Sequence, residues 1–325
     1  MIKIENEEFL PYKVGALLYT PATNESIADK IISGAICDLS SICLCLEDSI
    51  ADGAVGGAEN QLLITLEKIK ESRISKEKLP LIFVRIRSPK HLETLYPKLG
   101  DKISVLTGFV LPKFDMSNAN DYLKLFKRFD KDGNRLYAMP TLESGAVATL
   151  EKRVRSLARI KKTLDRHKKY ILNVRVGGND FSQIFGIRRK IDQNIYQSGI
   201  IRNILTDITS TFASDYVVSG PVWEYFGENN ELEWQQGLIR EQELDFLNGF
   251  IGKTAIHPSQ IPVIRECLRV TRDDFNDALT ILDWNDEKKG VGKSAGQKRM
   301  NEVKTHTKWA TRVYIMGKIY GIREE

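Results

Sequence analysis

The sequence predicts an α/β protein built on a (β/α)8 barrel, with a C-terminal helical extension. Short apolar segments alternate along the chain with segments whose apolar residues recur at helical spacing. Successive strand starts are separated by the length of one strand–helix unit, and eight such units make a closed parallel barrel of about 250 residues. In a chain of 325 residues we therefore expect a barrel domain at residues 1–262 and an extension at residues 263–325.

The individual elements follow from local periodicity and from β-branched and aromatic content. The predicted strands are Val14–Tyr19, Ser41–Leu46, Leu81–Ile86, Thr107–Leu111, Leu136–Met139, Leu172–Val176, Tyr216–Val218 and Lys253–Ile256. The predicted helices between them cover residues 57–72, 118–129, 145–166, 197–213 and 237–248. In the first of these helices the apolar residues Leu62, Leu63, Leu66 and Ile69 recur at helical spacing.

The chain after Ile261 is polar and helical and does not continue the strand–helix alternation. A loop is predicted at residues 286–296 and a final amphipathic helix near residues 302–320. This extension still carries large apolar side chains, which are Trp284, Trp309, Tyr314, Ile315, Ile319 and Tyr320. Such groups are rarely left in solvent, so we expect the extension to pack on a neighbouring subunit of a homo-oligomer and to help cover its site. Docking on its own barrel is the alternative.

Composition restricts the class of protein. Hydrophobic residues make up 42% and charged residues 28%, values typical of a soluble globular protein. The 48 basic and 43 acidic residues give a net charge of +5, and the cations are spread without interleaved aromatics, so no nucleic-acid partner is expected. No apolar run is long enough to span a membrane, and the charged N-terminus lacks the apolar core of a signal peptide. We expect a cytoplasmic protein with no membrane partner and a small anionic substrate.

Cysteine and histidine do not form a metal-binding pattern. The four cysteines are Cys37, Cys43, Cys45 and Cys267, and no CxxC pair occurs. The four histidines are scattered, so a zinc cluster is not predicted. We expect buried, reduced thiols and no catalytic role for Cys43 or Cys45. His257, between apolar residues and Pro258, is interpreted as a structural group rather than a base.

Charged residues follow most of the predicted strands, at the end where the active sites of such barrels lie. Residues 171–189 show the pattern best, because an apolar strand breaks at two glycines and Asp180 follows at once. Asp180 could instead serve as a helix N-cap, which Asp favours. The other residues at strand ends are Thr20, Glu47, Asp48, Arg85, Arg87, Lys113, Glu143, Pro221 and His257. We expect them to surround one opening.

Several carboxylates without neighbouring His or Cys make a hard, oxygen-rich site. Such a site suits Mg²⁺, with Mn²⁺ as an alternative, because these ions take carboxylate ligands and keep several waters. An arginine beside the metal suits a carboxylate, which it can bind bidentately. Metal and arginine together can hold a 2-oxo or 2-hydroxy acid and stabilise a developing enolate.

Several segments, in this order, resemble the motifs of the citrate lyase beta-subunit-like enzymes, which belong to the aldolase/citrate lyase superfamily of TIM barrels. They are SICLCLEDSI, VRIRSP, VLPKFD, MPTLESGAV, VRVGGNDFSQIFG, VSGPVWEYF and GFIGKTAIHPSQI, and they cover roughly residues 13–265. The chain is most similar to the divergent C–C bond lyases encoded in tellurium-resistance-type gene clusters.

The resemblance implies a Mg²⁺-dependent lyase or aldolase that breaks or forms a C–C bond next to a carbonyl. Glu143 and Asp180 match the metal ligands of such enzymes, and Arg85 matches the ligand of the substrate carboxylate. Glu47 and Asp48 match an acidic pair that orders water on the metal, and we group them with Arg85 as catalytic. Substrate-binding roles are assigned to Arg85, Arg87, Lys113, Gly178, Asn179 and Pro221. Related enzymes are homo-oligomers, which favours a partner for the extension.

Three departures from the family pattern bear on the substrate. Cys45 stands where the family often has Asp, and Arg87 stands where it often has Asn. The extra cation suits a more negatively charged substrate. Asn301 replaces the Asp of the C-terminal motif found in CoA-using members, which makes a CoA thioester substrate uncertain.

Other interpretations remain open at this level. One is a different metal-enolate enzyme on the same barrel, such as a thioesterase or a condensing enzyme. Another is a non-catalytic assembly subunit. The segment Gly290–Ser294 is similar to part of a phosphate-binding loop, but Glu287 occupies the place of the first glycine and no apolar strand precedes it, so nucleotide binding is not predicted.

Overall fold

The computed structural model describes residues 6–228, 231–284, 290–294, 296–297 and 299–324. These residues form two compact units. One unit is Val14–Ile264, and the other joins the segment up to Lys13 with the segment from Arg265 onward. The N-terminal helix thus groups with the C-terminal segment. The domain boundary at residue 262 stays a prediction from the sequence.

The larger unit is a closed barrel of eight parallel strands. Its strands are β1 (Ala16–Pro21), β2 (Ser41–Cys45), β3 (Leu81–Arg85), β4 (Gly108–Leu111), β5 (Tyr137–Leu142), β6 (Val174–Val176), β7 (Val218–Ser219) and β8 (Lys253–Ala255). Neighbours pair in sequence order from β1 to β7, β8 pairs with β1, and a parallel bridge between Gly220 and Lys253 joins β7 to β8. The predicted (β/α)8 architecture is confirmed, and each predicted strand segment overlaps an observed strand.

Helix α1 (Asn6–Lys13) belongs to the smaller unit. In the larger unit helices follow the strands and cover the outside of the sheet. They are α2 (Ile27–Ser33), α3 (Val55–Glu71), α4 (Pro89–Leu99), α5 (Ala119–Lys131), α6 (Gly145–Ala148), α7 (Leu150–Asp165), α8 (Gly178–Ile184), α9 (Gly199–Phe212), α10 (Leu232–Leu247) and α11 (Gln260–Cys267), the last of which continues past the end of that unit at Ile264. The single helix predicted at residues 145–166 is two, because Thr149 has extended ψ (119°) and caps the second. Helix α4 was missed, although Ser88 caps it and Pro89 begins it.

The strands are buried on both faces, as parallel barrels require. Every residue of β2 is buried, from Ser41 to Cys45. On the outside of β4, the fully buried rings of Phe109, Phe126 and Phe129 lie 5.5–6.3 Å apart. Burial of each such side chain contributes about 1.5–3 kcal/mol, so this cluster holds α5 on the sheet.

A buried ion-pair network holds β8 to α10. Lys253 is fully buried, and its Nζ lies 3.0 Å from Glu241 Oε1 and 2.5 Å from Asp245 Oδ2. Arg189 forms a second ion pair with Glu241, and the hydroxyl of Tyr196 donates to Asp245 at 2.6 Å. Burial would raise the pKa of Glu241, but the charges of Lys253 and Arg189 outweigh it and lower that pKa. The buried charge of Lys253 on β8, the last strand of the barrel, therefore has the oppositely charged partners that a buried charge needs.

The smaller unit has a core of its own. Helices α12 (Arg272–Leu282) and α13 (Val303–Tyr320) pack together, and the rings of Phe275 and Tyr314 stack at 6.0 Å. The Tyr320 hydroxyl donates to the Tyr12 carbonyl oxygen, which joins α13 to the N-terminal segment. Of the apolar groups of the extension, Ile315 and Tyr320 are buried, and Tyr320 has its bond to Tyr12 within this unit.

The unit also contains short strands that were not predicted. Strand β9 (Val270–Thr271) pairs with β12 (Ile322–Arg323), and β10 (Val291–Lys293) pairs with β11 (Met300–Glu302) as an antiparallel hairpin. The loop predicted at residues 286–296 is therefore wrong at residues 291–293, which form strand. Residues 286–289 and 295 of that loop lie outside the described residues. Among the described helices, none has the length and apolarity to cross a bilayer.

We expect Gly108→Ala to disrupt the barrel. A Cβ at Gly108 would lie 1.9 Å from the backbone oxygen of Tyr137 on the paired strand, so β4 and β5 would have to separate. The free energy of unfolding, measured with denaturant, should fall by about 1–3 kcal/mol or more. Gly57→Ala is the matched control, because Gly57 is exposed on helix α3 and nothing lies within 4 Å of a Cβ there. Equal stability of the two variants would contradict this packing.

Candidate active site

A cavity of about 380 Å³ opens at the carboxyl ends of the barrel strands. Its wall contains Asp48, Arg85, Glu143 and Asp180, which come from the ends of β2, β3, β5 and β6, and it also contains Arg175 from within β6. These residues are far apart in sequence, and the barrel brings them together because all parallel strands end on one face. The predicted convergence of strand-end charges at one opening is therefore present for these residues.

The turn from β6 to α8 places Asp180. Gly177 is the N-cap of α8, and Asp180 lies in the first helical turn, so the alternative in which Asp180 is the cap is wrong. A Cβ at Gly177 would lie 2.1 Å from Glu143 Oε2 and 3.0 Å from Asp180 Oδ2. The two carboxylates therefore meet at the Gly177 backbone, and only glycine leaves room for them.

Arg85 is the centre of the charged cluster. Its Nη2 lies 3.0 Å from Glu47 Oε2 and 3.1 Å from Glu143 Oε1, and its Nη1 lies 3.1 Å from Asp48 Oδ2. The side chains of Arg85, Glu47 and Glu143 are each less than a tenth exposed. One guanidinium thus links carboxylates from the ends of β2 and β5.

Lys113 closes the cluster from the loop after β4. Its backbone adopts φ +47°, and in this conformation its N–H donates to Glu143 Oε1 at 2.8 Å. Its Nζ donates to Glu47 Oε1 at 2.8 Å and to Asp48 Oδ1 at 3.4 Å. A non-glycine residue with positive φ is uncommon, and here that conformation lets one residue bind three carboxylates, one through its backbone N–H and two through its side chain.

The acids of the cluster have perturbed pKa values. Burial raises the pKa of Glu143 to about 8, since the charge of Arg85 only partly opposes burial and the charge of Asp180 adds to it. Burial, with the charge of Asp48, also raises the pKa of Asp180. Burial raises the pKa of Glu47 despite the charge of Arg85. Two neighbouring carboxyls, Glu143 and Asp180, are thus short of positive charge.

The remaining predicted residues are placed differently. Gly178 and Asn179 line the cavity. Pro221 lies against Gly178, where a Cβ at Gly178 would come within 2.6 Å of it, but it is not part of the cavity wall. Arg87 turns away: its guanidinium pairs with Asp52 and donates to the carbonyl oxygens of Leu46 and Ile50, so it holds the loop after β2.

Histidine and cysteine agree with the sequence analysis only in part. His257 accepts or donates at Nδ1 with the hydroxyl of Ser259 and stacks on Phe226 at 4.6 Å, outside the cavity wall. Cys43 and Cys45 are buried, and burial raises the pKa of the Cys43 thiol. Cys45 nevertheless forms part of the cavity wall. Burial was wrongly expected for Cys37, which is exposed.

Arg175 was missed in the sequence analysis. It is 1% exposed, lines the cavity from the middle of β6, and donates from Nη2 to Thr254 Oγ1 at 2.7 Å. The signal was present, because a charged residue inside the apolar run LNVRV is unusual for a barrel strand. The predicted site residues all lie at the ends of strands or after them, whereas Arg175 lies within a strand.

The chain belongs to the family of C–C bond lyases of the TIM-barrel fold, whose family model matches residues 8–322. The family expected from the sequence motifs is thereby confirmed, and the protein is a lyase by family. No curated protein matches the chain by sequence.

Solved structures share the fold at low sequence identity. CitE from Mycobacterium tuberculosis, in complex with magnesium, acetoacetate and coenzyme A, is 17% identical, with a TM-score of 0.61 over 94% of this chain and 99% of that chain. RipC from Yersinia pestis is 17% identical, with a TM-score of 0.54 over 81% of this chain and 98% of its own. The citrate lyase beta subunit from M. tuberculosis, complexed with oxaloacetate and magnesium, is 17% identical, with a TM-score of 0.51 over 79% and 98%. At these identities the likeness supports the fold alone.

We expect Arg85→Met to destabilise the protein in a pH-dependent way. The loss leaves buried Glu47 and Glu143 without their shared cation, and breaking such a pair costs about 3–5 kcal/mol. The pKa values of these carboxyls rise further in the variant, and ionising such a carboxyl costs stability as the pH climbs above the wild-type pKa, which for Glu143 is about 8. The deficit in the free energy of unfolding relative to the wild type, from denaturant unfolding, should therefore be larger at pH 9 than at pH 6. Arg128→Met, at a half-exposed surface pair, is the control. A deficit that is independent of pH would contradict this role.

Proposed function

We propose that the protein is a Mg²⁺-dependent C–C bond lyase or aldolase acting on a 2-oxo or 2-hydroxy acid. The observation that carries this proposal is the pair of Glu143 and Asp180, whose carboxylates meet beside Gly177 in the cavity. The family supports C–C bond cleavage. The metal and the acid are supported by the similar structures, which hold magnesium with oxaloacetate or acetoacetate.

The residues present fit a divalent ion. Two carboxyls with raised pKa values face each other, and a cation between them would supply the charge that they lack. No group of three or more His, Cys, Asp or Glu side chains suited to a metal occurs among the described residues. Mg²⁺ is often held by only one or two carboxylates, with water and substrate oxygens completing the shell. We propose Glu143 and Asp180 as the ligands, with Mn²⁺ as an alternative ion.

When bound, Mg²⁺ would polarise the carbonyl and stabilise negative charge on an enolate. Arg85 then has the role of binding the carboxylate next to that carbonyl. Its Nε is buried and has no partner in the described part of the chain, so a donor is available. Glu47 and Asp48 hold the guanidinium from the other side and fix its orientation. Lys113 keeps both acids in place and donates to Glu143, which orients the metal ligand.

The surroundings of the pair favour a small acid. Gly178 and Asn179 line the wall at the start of α8, next to Asp180, and we propose that they contact the substrate. We do not extend that role to Arg87 or Pro221, which are engaged elsewhere. A CoA thioester remains an alternative substrate, and the screen described below includes it. The homo-oligomer and the cytoplasmic location stay predictions from the sequence.

The metal assignment predicts that Asp180→Asn and Glu143→Gln abolish Mg²⁺ binding. Both changes keep size and remove the anionic ligand. Mg²⁺ should raise the melting temperature of the wild type, because a ligand that binds only the folded state stabilises it, and it should not raise that of either variant. Asp121→Asn, at an exposed position on α5, is the matched control and should respond like the wild type. An unchanged Mg²⁺ response in Asp180→Asn would remove this pair as the metal site.

The reaction class is tested by a screen of 2-oxo acids, 2-hydroxy acids and acyl-CoA thioesters with Mg²⁺. Binding is measured by thermal shift, and products are then identified for every acid that binds. We expect C–C cleavage or its reverse, with no activity in Asp180→Asn. Release of free CoA without a change in the carbon skeleton would indicate a thioesterase instead. Mg²⁺ binding without turnover of any acid would favour a non-catalytic subunit.

A further inference from the structure

Arg175 is buried at the cavity and keeps most of its hydrogen-bonding capacity unused. Of the five N–H groups of an arginine, one bonds to Thr254 Oγ1 at 2.7 Å. The Nε and Nη1 atoms are buried without a partner in the described chain. An unpaired buried donor costs free energy, and an unpaired buried charge costs more. The fold therefore retains a costly group at the wall of the cavity.

The neighbouring strand adds a second unused polar group. Thr141 of β5 is the register partner of Arg175, and its hydroxyl is also buried without a partner among the described residues. Both residues line the cavity. A hydroxyl beside a guanidinium is a suitable combination for an anionic oxygen, because both can donate to it.

Other buried arginines have more of their hydrogen-bonding groups paired with the protein. Arg153 is 4% exposed, and its Nε, Nη1 and Nη2 bond to the Val147 oxygen at 2.9 Å, to Asp207 at 3.0 Å and to the Ala148 oxygen at 2.8 Å. Arg85, in the same cavity, binds three carboxylates of the protein. Arg175 differs from both, because no carboxylate of the described residues pairs with it.

We propose that Arg175 and Thr141 bind a second carboxylate of the substrate, so that the substrate is a short dicarboxylic acid. This inference rests on the proposed function for the other end of the molecule, where Arg85 takes the carboxylate next to the carbonyl. Two guanidinium groups with free donors line a cavity of about 380 Å³, which is near the lower end for small-molecule sites. A short diacid places one anionic group at each guanidinium.

The first test compares metal-free, ligand-free proteins. Arg175→Met removes an unpaired buried charge and keeps an unbranched side chain, so the melting temperature should be unchanged or higher. Arg153→Met is the matched control and should lower the melting temperature by several degrees, because it leaves satisfied partners unpaired. A loss of stability in Arg175→Met as large as that in Arg153→Met would make Arg175 structural and overturn the proposal.

The second test uses pairs of acids that differ only in the terminal carboxylate. With Mg²⁺, the wild type should bind oxaloacetate tighter than 2-oxobutyrate, or 2-oxoglutarate tighter than 2-oxopentanoate, by about tenfold or more, as expected for a charge-assisted hydrogen bond. Arg175→Met should abolish this preference and leave the affinity for the monoacid unchanged. A preference that survives in the variant, or an equal loss for both acids, would overturn the proposal.

A third experiment distinguishes a failure of this inference from a failure of the proposed function. In EDTA, succinate and glutarate probe Arg175 without the metal, and one of them should raise the melting temperature of the wild type but not of Arg175→Met. If the wild type fails to bind any 2-oxo acid with Mg²⁺, the proposed function is wrong. The experiment with succinate and glutarate then decides by itself whether Arg175 binds a carboxylate. Absence of a response to both diacids in the wild type, or a response to inorganic phosphate in their place, would reject the carboxylate site.

Discussion

The cavity depends on the ion pairs that Arg85 makes with Glu47, Asp48 and Glu143. These acids end β2 and β5, and they would repel one another in a buried site without the guanidinium between them. Arg85 and Lys113 still leave Glu143 and Asp180 short of positive charge, as the raised pKa values of both show. This uncompensated negative charge beside Gly177 is the reason why we propose that the pair binds a divalent ion.

The backbone supports this arrangement at two positions. Gly177 carries no side chain where two carboxylates meet, and Lys113 adopts positive φ so that its N–H reaches Glu143. Both positions lie in loops just after a strand, while the residues that hold the barrel closed lie elsewhere. Lys253 with Glu241 and Asp245, for example, forms its network between β8 and α10. Buried charges are therefore paired in the network between β8 and α10. In the cavity, by contrast, two donor atoms of Arg175 have no partner among the described residues.

The smaller unit shows how a correct observation can lead to an incomplete interpretation. The sequence indicated that the apolar groups of the extension must be buried, and Ile315 and Tyr320 are buried. The expected partners were the barrel or another subunit. The unit supplies some contacts of its own, through the stacking of Phe275 on Tyr314 and the bond from Tyr320 to Tyr12. A partner subunit for the extension stays a prediction from the sequence. The N-terminal helix is only weakly amphipathic, so no local pattern predicts its contact with a helix about three hundred residues later in the chain.

The sequence by itself determined the barrel, because strand and helix periodicities are local and eight strand–helix units leave few alternatives. It also determined which acids stand at the strand ends, since Glu47, Asp48, Glu143 and Asp180 each follow an apolar run. Tertiary structure alone decided what those positions contact. Arg87, two residues after Arg85, looked equivalent but turns to Asp52. Arg175 looked like part of a buried strand but faces the cavity. Contacts between distant residues depend on register and on which face a side chain takes, and neither is encoded within a short window of sequence.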